Sequence, residues 1–214
     1  AEQIIAELDA LYALGWRGLA FFVDDNFIGN KRQLKSEILP ALAEWRKDKK
    51  RVIFKTEVSI NLADDQELMD LMIKAGFSSI FVGIETPDPA GLSECQKAQN
   101  LGRDLMESVK ILQRNGFEVE GGFIVGFDTD DESIFQRQID FIQRSGIITA
   151  MVGLLQAVKG TTLYKRLEEE GRILAKASGN NVDDSINFIS KMDPTILHKG
   201  YEKILATIYA PRTY

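Results

Sequence analysis

Apolar and polar positions along this chain follow two alternating periods, and the switches between them mark out its elements. Residues 2–14 place Ile4, Leu8, Leu11 and Tyr12 on one helical face, and Gly15 can close that helix in the left-handed conformation. Leu19 to Val23 then reads as a strand that ends at Asp24-Asp25-Asn26. The helical period returns over 31–47 through Leu34, Ile38, Leu42 and Trp45, with Pro40 expected to kink or split the helix. A strand from Val52 to Thr56 runs out at Glu57. Asp64 or Asp65 caps the next helix, which turns Leu68, Leu71, Met72 and Ala75 inward and stops at Gly76.

The most strongly apolar run, Ile80-Phe81-Val82-Gly83-Ile84, has the composition of a strand buried on both faces in a parallel sheet. It ends on Glu85, and Pro87 and Pro89 stop any further ladder. A long connection, 88–102, leads to a helix facing inward through Leu105, Val109 and Leu112. Strand Val119 to Val125 follows, and Asp128 to Asp131 open a helix carrying Phe135, Ile139 and Ile142. A last strand, Ile148 to Val158, precedes a helix begun near Thr161 and Thr162. Residues 172–192 read as irregular and polar, and Asp193-Pro194 starts a final helix using Ile196, Leu197, Ile204 and Ile208.

One unit recurs. Gly15-Trp16, Gly76-Phe77, Gly116-Phe117 and Gly146-Ile147 each pair a helix-ending glycine with a large apolar residue and then a strand. Five strands alternating with helices predict right-handed β-α units in a parallel sheet. Because the first element is a helix, the strand expected before it is missing. The architecture expected is α/β: a partial (β/α)6 TIM-like barrel lacking strand one over 1–170, with a C-terminal helical extension over 171–214. A flat doubly wound sheet is the alternative.

Composition narrows the function. The chain has 214 residues, 44% of them hydrophobic, enough for a sizeable core. A net charge of −6 argues against a general nucleic-acid or anionic-membrane binder. No apolar run is long enough for a transmembrane segment. The one cysteine, Cys95, fits a reducing cytoplasm, and with one histidine, His198, it argues against an internal zinc or iron–sulfur site.

In a parallel sheet Asp24, Asp25, Asn26, Glu57, Glu85 and Asp128 all stand at strand ends. Their oxygens suit an ammonium group, ribose hydroxyls or magnesium; a helix cap is an equal reading of Asp128. Gly122 to Gly126 brings backbone close to a ligand, or else forms a bulge or a tight packing contact. Lys97, Gln99, Asn100 and Arg103 can meet a carboxylate or phosphate or simply face solvent. Phe21-Phe22 reads as core, Cys95 as a bystander and His198 as structural.

Taken in order, Phe22-Val23-Asp24-Asp25-Asn26-Phe27, Phe54-Lys55-Thr56-Glu57-Val58, Gly83-Ile84-Glu85-Thr86-Pro87 and Gly121 to Asp128 resemble the radical S-adenosylmethionine enzymes. The likeness is to the branch with an N-terminal cobalamin-binding domain. Gly160 to Tyr164, Glu170-Gly171-Arg172, Asn187-Phe188, Gly200-Tyr201 and Ile208 to Pro211 extend it across nearly the whole chain. The resemblance implies S-adenosylmethionine, a 4Fe–4S cluster and cobalamin as cofactors. It also implies that Asp24, Asp25 and Asn26 meet the methionine amino group, Glu85 the ribose, and Gly122 to Gly126 the adenine. Gln156 falls at the end of strand six, and Glu57 has no assigned role.

The family holds its cluster on a Cys-x-x-x-Cys-x-x-Cys loop after strand one, which this chain lacks, as it lacks a cobalamin domain. This polypeptide alone is therefore expected to be inactive, and no catalytic residue is assigned. The whole enzyme is expected to transfer a methyl group to an unactivated carbon or to rearrange one oxidatively. Its expected partners are a small, lipid-like or tetrapyrrole-like substrate and a reductant protein, with self-association through the exposed sheet edge. Two other classes stay open: a magnesium-dependent barrel lyase and a non-catalytic barrel binding a nucleoside-like ligand.

Overall fold

A computed structural model describes residues 1–49, 51–177 and 185–211. The described residues form a five-stranded sheet of order β1-β2-β3-β4-β5 and divide into two compact units, 1–83 with 107–120 and 84–106 with 121–214. None of their helices is long and apolar enough to cross a membrane.

The first unit begins with α1 (Glu2–Ala13) and β1 (Leu19–Phe22). The expected break at Pro40 is present. α2 (Lys31–Gln33) runs into a π-helical turn, Leu34–Ile38, before α3 (Leu39–Trp45) resumes. Proline lacks the N–H that an unbroken helix needs, and the wider turn takes up the mismatch. β2 (Ile53–Val58) pairs parallel with β1, Phe21 opposite Lys55, and with β3 (Phe77–Glu85), Lys55 opposite Ser79. Between them α4 (Gln66–Ala75) starts on Asp65, whose carboxylate accepts the Leu68 N–H at 3.1 Å.

This unit's core is aromatic. Phe22 stacks on Phe54 at 5.3 Å and Phe27 on Phe77 at 5.0 Å between ring centroids. Each such pair adds about 1 kcal/mol beyond its area. Phe21 is not core, contrary to expectation, being 46% exposed. β1 ends the sheet, and its alternate side chains face away from the helices with no further strand to cover them.

α5 (Pro89–Glu94) occupies the expected long connection, begun by Asp88-Pro89 as a cap and first-turn proline. α6 (Leu105–Arg114) and β4 (Glu118–Val125) follow. In the second unit α7 (Ser133–Ser145) leads to β5 (Ala150–Leu154), shorter than the expected 148–158 and parallel to β4. α8 (Thr162–Glu169) and α9 (Pro194–Ile208) complete the chain, capped by Thr161 and Asp193 as read from sequence. The four repeat glycines hold φ of +91°, +105°, +98° and +74°.

The stretch 172–192 is not merely polar: Asn187 and Phe188 are buried, and Ile173 bridges Phe188 in antiparallel sense. Residues 178–184 of that stretch lie outside the described residues. Phe188 packs with Phe127, Leu155, Ala157 and Leu167. The outer edge of β5 is met by the Tyr209 hydroxyl, which donates to the Ala150 carbonyl at 2.8 Å and accepts from its N–H at 3.1 Å.

Candidate functional site

The strand ends carry the candidate chemistry, and each unit builds its own. After β1, Asp24 and Asp25 are exposed and make no hydrogen bond or ion pair among the described residues. Asn26 is committed through its side-chain oxygen, which accepts from the Ser59 N–H at 3.1 Å and lies 3.3 Å from the Ser59 hydroxyl. It ties the end of β1 to the end of β2. Glu57 lies within β2, one residue before its end, in register with Phe81 and on the strand face opposite buried Thr56 and Val58.

That same face holds a group the sequence reading missed. Lys55 Nζ sits 2.6 Å from both oxygens of Glu120, and the Ser79 hydroxyl donates to Glu120 at 3.0 Å. The signal lay in charged residues two apart inside apolar strands, Lys55 with Glu57 and Glu118 with Glu120.

In the second unit β3 ends on Glu85, a non-glycine residue at φ +67°. Such strain, about 1–2 kcal/mol, is held by the surroundings and clusters at ligand sites. The Glu85 carboxylate meets Lys97 Nζ at 2.7 Å, so Lys97 is neutralised within the fold. Asn100 is buried and donates to the Ile84 carbonyl at 3.1 Å, which makes it structural. Asp88 caps α5 through the Gly91 N–H and takes Arg137 at 2.6 Å. Burial opposes its ionisation, but Arg137 and the backbone N–H outweigh that and hold it below the usual carboxylate range.

Beyond β4 the chain turns on Gly126 at φ +108°. An L side chain there is strained whatever the space, and a Cβ would also stand 3.4 Å from Leu197. Gly121 is glycine for a different reason, since a Cβ there would come within 2.7 Å of the Phe123 ring. Two acids follow with opposite fates. Asp128, 5% exposed, takes Arg172 through both oxygens at 2.6 and 2.7 Å and Arg166 at 2.7 Å. Arg172 chiefly drives its pKa down to about 2, against burial and with help from Arg166. It is neither a helix cap nor a carboxylate open to a ligand. Asp130 instead accepts the Gly126 and Phe127 N–H groups at 2.8 and 3.0 Å. Burial raises its pKa to about 6; the two N–H groups oppose this, and the charges of Asp88 and Glu94 add to it.

Phe127, next to Gly126, and Arg166, the partner of Asp128, line a cavity of about 360 Å³ together with Cys95, Leu155, Gln156 and Leu163 among others. Phe127, Leu155 and Leu163 give it apolar wall, and Glu94, Gln96, Gln156, Thr161, Thr162 and Arg166 give it polar groups, the mixture a small-molecule site uses. Glu94 joins Arg166 at 2.8 Å on one wall and accepts the Asp128 and Thr129 N–H groups at 3.2 Å. Gln156 donates its amide to the Ser185 carbonyl. Burial raises the Cys95 thiol pKa and so disfavours its thiolate.

Similarity to known proteins runs the length of the chain. It is 40% identical over 214 residues to an uncharacterized methyltransferase of Synechocystis sp., covering 99% of this chain and 40% of that protein. It is 37% identical to the hopanoid C-2 methylase of Rhodopseudomonas palustris, covering 100% of this chain and 43% of that protein. Against the bacteriochlorophyllide d C-12(1)-methyltransferase of Chlorobaculum tepidum it is 28% identical, covering 74% of this chain and 34% of that protein. The chain thus spans well under half the length of these relatives.

Among solved structures, the radical S-adenosylmethionine methyltransferase TsrM of Kitasatospora setae, with cobalamin and a 4Fe–4S cluster bound, superposes with a TM-score of 0.67. That match is 17% identical and covers 92% of this chain and 40% of TsrM. It shows the fold, and the α/β partial barrel expected from the sequence is borne out. A family model described as a domain of unknown function matches residues 161–214. The model of the radical SAM superfamily matches residues 1–142, and this chain belongs to that superfamily.

Proposed function

We propose that the protein containing this chain is a cobalamin-dependent radical S-adenosylmethionine methyltransferase acting on a polycyclic, lipid-like or tetrapyrrole-like substrate. The observation that carries this reading is that relatives aligned over 99%, 100% and 74% of this chain are named for methyl transfer, the last two to hopanoid and bacteriochlorophyllide frameworks.

The chain's own residues support the cofactor's adenosyl part. In the second unit the cavity offers Phe127, Leu155 and Leu163 as apolar walls for a purine and Gln156 as a polar edge. Gly122 and Gly126 would let backbone approach it, and Glu85 would take the ribose. In the first unit, taken by itself, Asp24 and Asp25 meet no cation among the described residues and would suit an ammonium group such as that of the methionine part, with Asn26 and Glu57 at neighbouring strand ends. Bound S-adenosylmethionine would supply the methyl group or the radical. The 4Fe–4S cluster finds no fit in this chain, whose single thiol is Cys95, so no step through the cluster is assigned to these residues. Nor does any residue here answer to cobalamin.

No group of three or more His, Cys, Asp or Glu among the described residues is gathered as a metal site, so nothing favours the magnesium lyase. In the same reading, 1–170 is the barrel core and 171–214 a C-terminal helical extension. A reductant protein supplies electrons in the cytoplasm, for which the free thiol is suited. The test is anaerobic reconstitution of the full-length protein with iron, sulfide, cobalamin and S-adenosylmethionine. Methylated polycyclic product together with S-adenosylhomocysteine is expected. Turnover without cobalamin, or cofactor cleavage that never yields methylated product, would overturn the reading.

A further inference from the structure

Asp130 is a half-buried acid, bonded to the backbone of the cavity-lining Phe127, that none of the roles above uses. One oxygen accepts two consecutive backbone N–H groups, from Gly126 and Phe127. The other, Oδ1, is buried and meets no hydrogen-bond donor. The two N–H groups belong to the residue whose φ of +108° turns the chain and to the residue whose ring lines the cavity. Gly126 is itself enclosed, its missing Cβ lying 3.6 Å from Leu155, another lining residue. A carboxylate acceptor is stronger than a neutral one, roughly twofold per bond, and two bonds to one oxygen fix the direction of a turn.

We propose that Asp130 is a positioning residue for the cofactor cavity: its carboxylate clamps the Gly126 and Phe127 amides and so sets the backbone from which Phe127 enters the wall. The proposal rests on reading that cavity as the S-adenosylmethionine site. Its consequence is a grip on ligand that weakens when the clamp is protonated. The charged groups around the clamp are mostly spoken for. Asp88 from the start of α5 is paired with Arg137 of α7, and Glu94 from its end is paired with Arg166 of α8. Asp128 in the same loop is held by Arg166 and Arg172. None of these cations bonds to Asp130, so the two amides alone hold its charge. With a pKa of about 6, the clamp changes state in a range where Asp88 and Asp128, both held below the usual carboxylate range by their arginines, stay ionised.

The experiment uses the full-length protein and two variants, Asp130→Ala and Asp130→Asn. Amide hydrogen exchange at residue resolution reads Gly126 and Phe127, and calorimetry reads S-adenosylhomocysteine affinity between pH 5.5 and 8. The Ala variant should expose both amides and weaken binding about tenfold, the effect of losing bonds worth some 1.4 kcal/mol. The wild type should lose about threefold in affinity as pH falls through 6, because a neutral acceptor is the weaker one. The Asn variant, an acceptor that cannot titrate, should keep part of the amide protection and show no such step. Should the Ala variant fail to fold, the Asn variant decides alone. Protected amides and wild-type affinity in the Ala variant, or an unchanged pH step in the Asn variant, would overturn the proposal. If even the wild type does not bind S-adenosylhomocysteine, the cofactor reading of the cavity fails. Amide exchange would still judge the clamp, which is overturned if the amides stay protected without Asp130.

Discussion

The strand ends after β1 and after β4 both present acids, and they use them in opposite ways. After β1, Asp24 and Asp25 stand in solvent with no partner among the described residues. After β4, Asp128 is saturated by two arginines, and Asp130 is turned onto its own backbone. A carboxylate at the end of a parallel strand is therefore not in itself a ligand group. What separates the two is whether the fold brings a cation to it. Exposed acids cost the fold little and are open to an incoming ammonium, whereas wired acids hold the loop that frames the cavity.

The sharpest test of this contrast is Asp128→Ala. It takes the bidentate partner from Arg172, whose side chain is 13% exposed and keeps Glu170 at 2.8 Å, and should cost about 3 kcal/mol in urea unfolding. A loss under 1 kcal/mol would put Asp128 in the same class as Asp24. The two acids also differ in the sign of their pH dependence. Asp128 has a folded pKa of about 2, below its ordinary 3.8, so its stabilisation is present above pH 4 and fades as pH falls toward 2. Asp130 has a folded pKa of about 6, above its ordinary 3.8. The folded state then holds the proton more tightly, and stability from this group falls as pH rises from 4 to 6. Unfolding midpoints of Asp128→Asn and Asp130→Asn across pH 2–8 should separate these two slopes.

Gly126→Ala should come next in size, at about 1–2 kcal/mol, because φ of +108° admits no Cβ without strain. Thermal unfolding measures the cost, and a fall in S-adenosylhomocysteine affinity would place that cost at the site. Glu85→Gly relieves a strained φ of +67° while removing the Lys97 pair, so stability should change by less than about 1 kcal/mol. Ligand affinity should nonetheless drop; unchanged affinity would remove Glu85 from the ribose role. Smallest of all, Asp24→Asn with Asp25→Asn should shift stability by under about 0.5 kcal/mol. The same pair should still weaken binding, and a large stability loss would erase the contrast drawn above.

The alternation of elements was legible because its signals are local. A glycine at positive φ followed by Trp16, Phe77, Phe117 or Ile147 announces each helix end and strand start within two residues. The proline turn and the caps at Asp65, Thr161 and Asp193 were equally local. What stayed hidden depends on partners far along the chain. Arg166 and Arg172 reach Asp128 across 38 and 44 residues, and Glu120 reaches Lys55 across 65. No window of sequence contains both members, so Asp128 read as a cap as readily as anything else. Phe21 failed for a related reason: burial of a strand's second face depends on a neighbour, and composition does not say which strand lies at the edge. The short helix α5 was a missed local signal, since Asp88-Pro89 is a legible start.

The Tyr209 hydroxyl, which both gives to and takes from Ala150, stands in for one residue of a strand that is not there. Its phenol copies the donor and acceptor of a peptide group, and so occupies the rung where another chain would begin to pair. Loss of that hydroxyl, as in Tyr209→Phe, would uncover the rung and convert a quiet edge into an adhesive one.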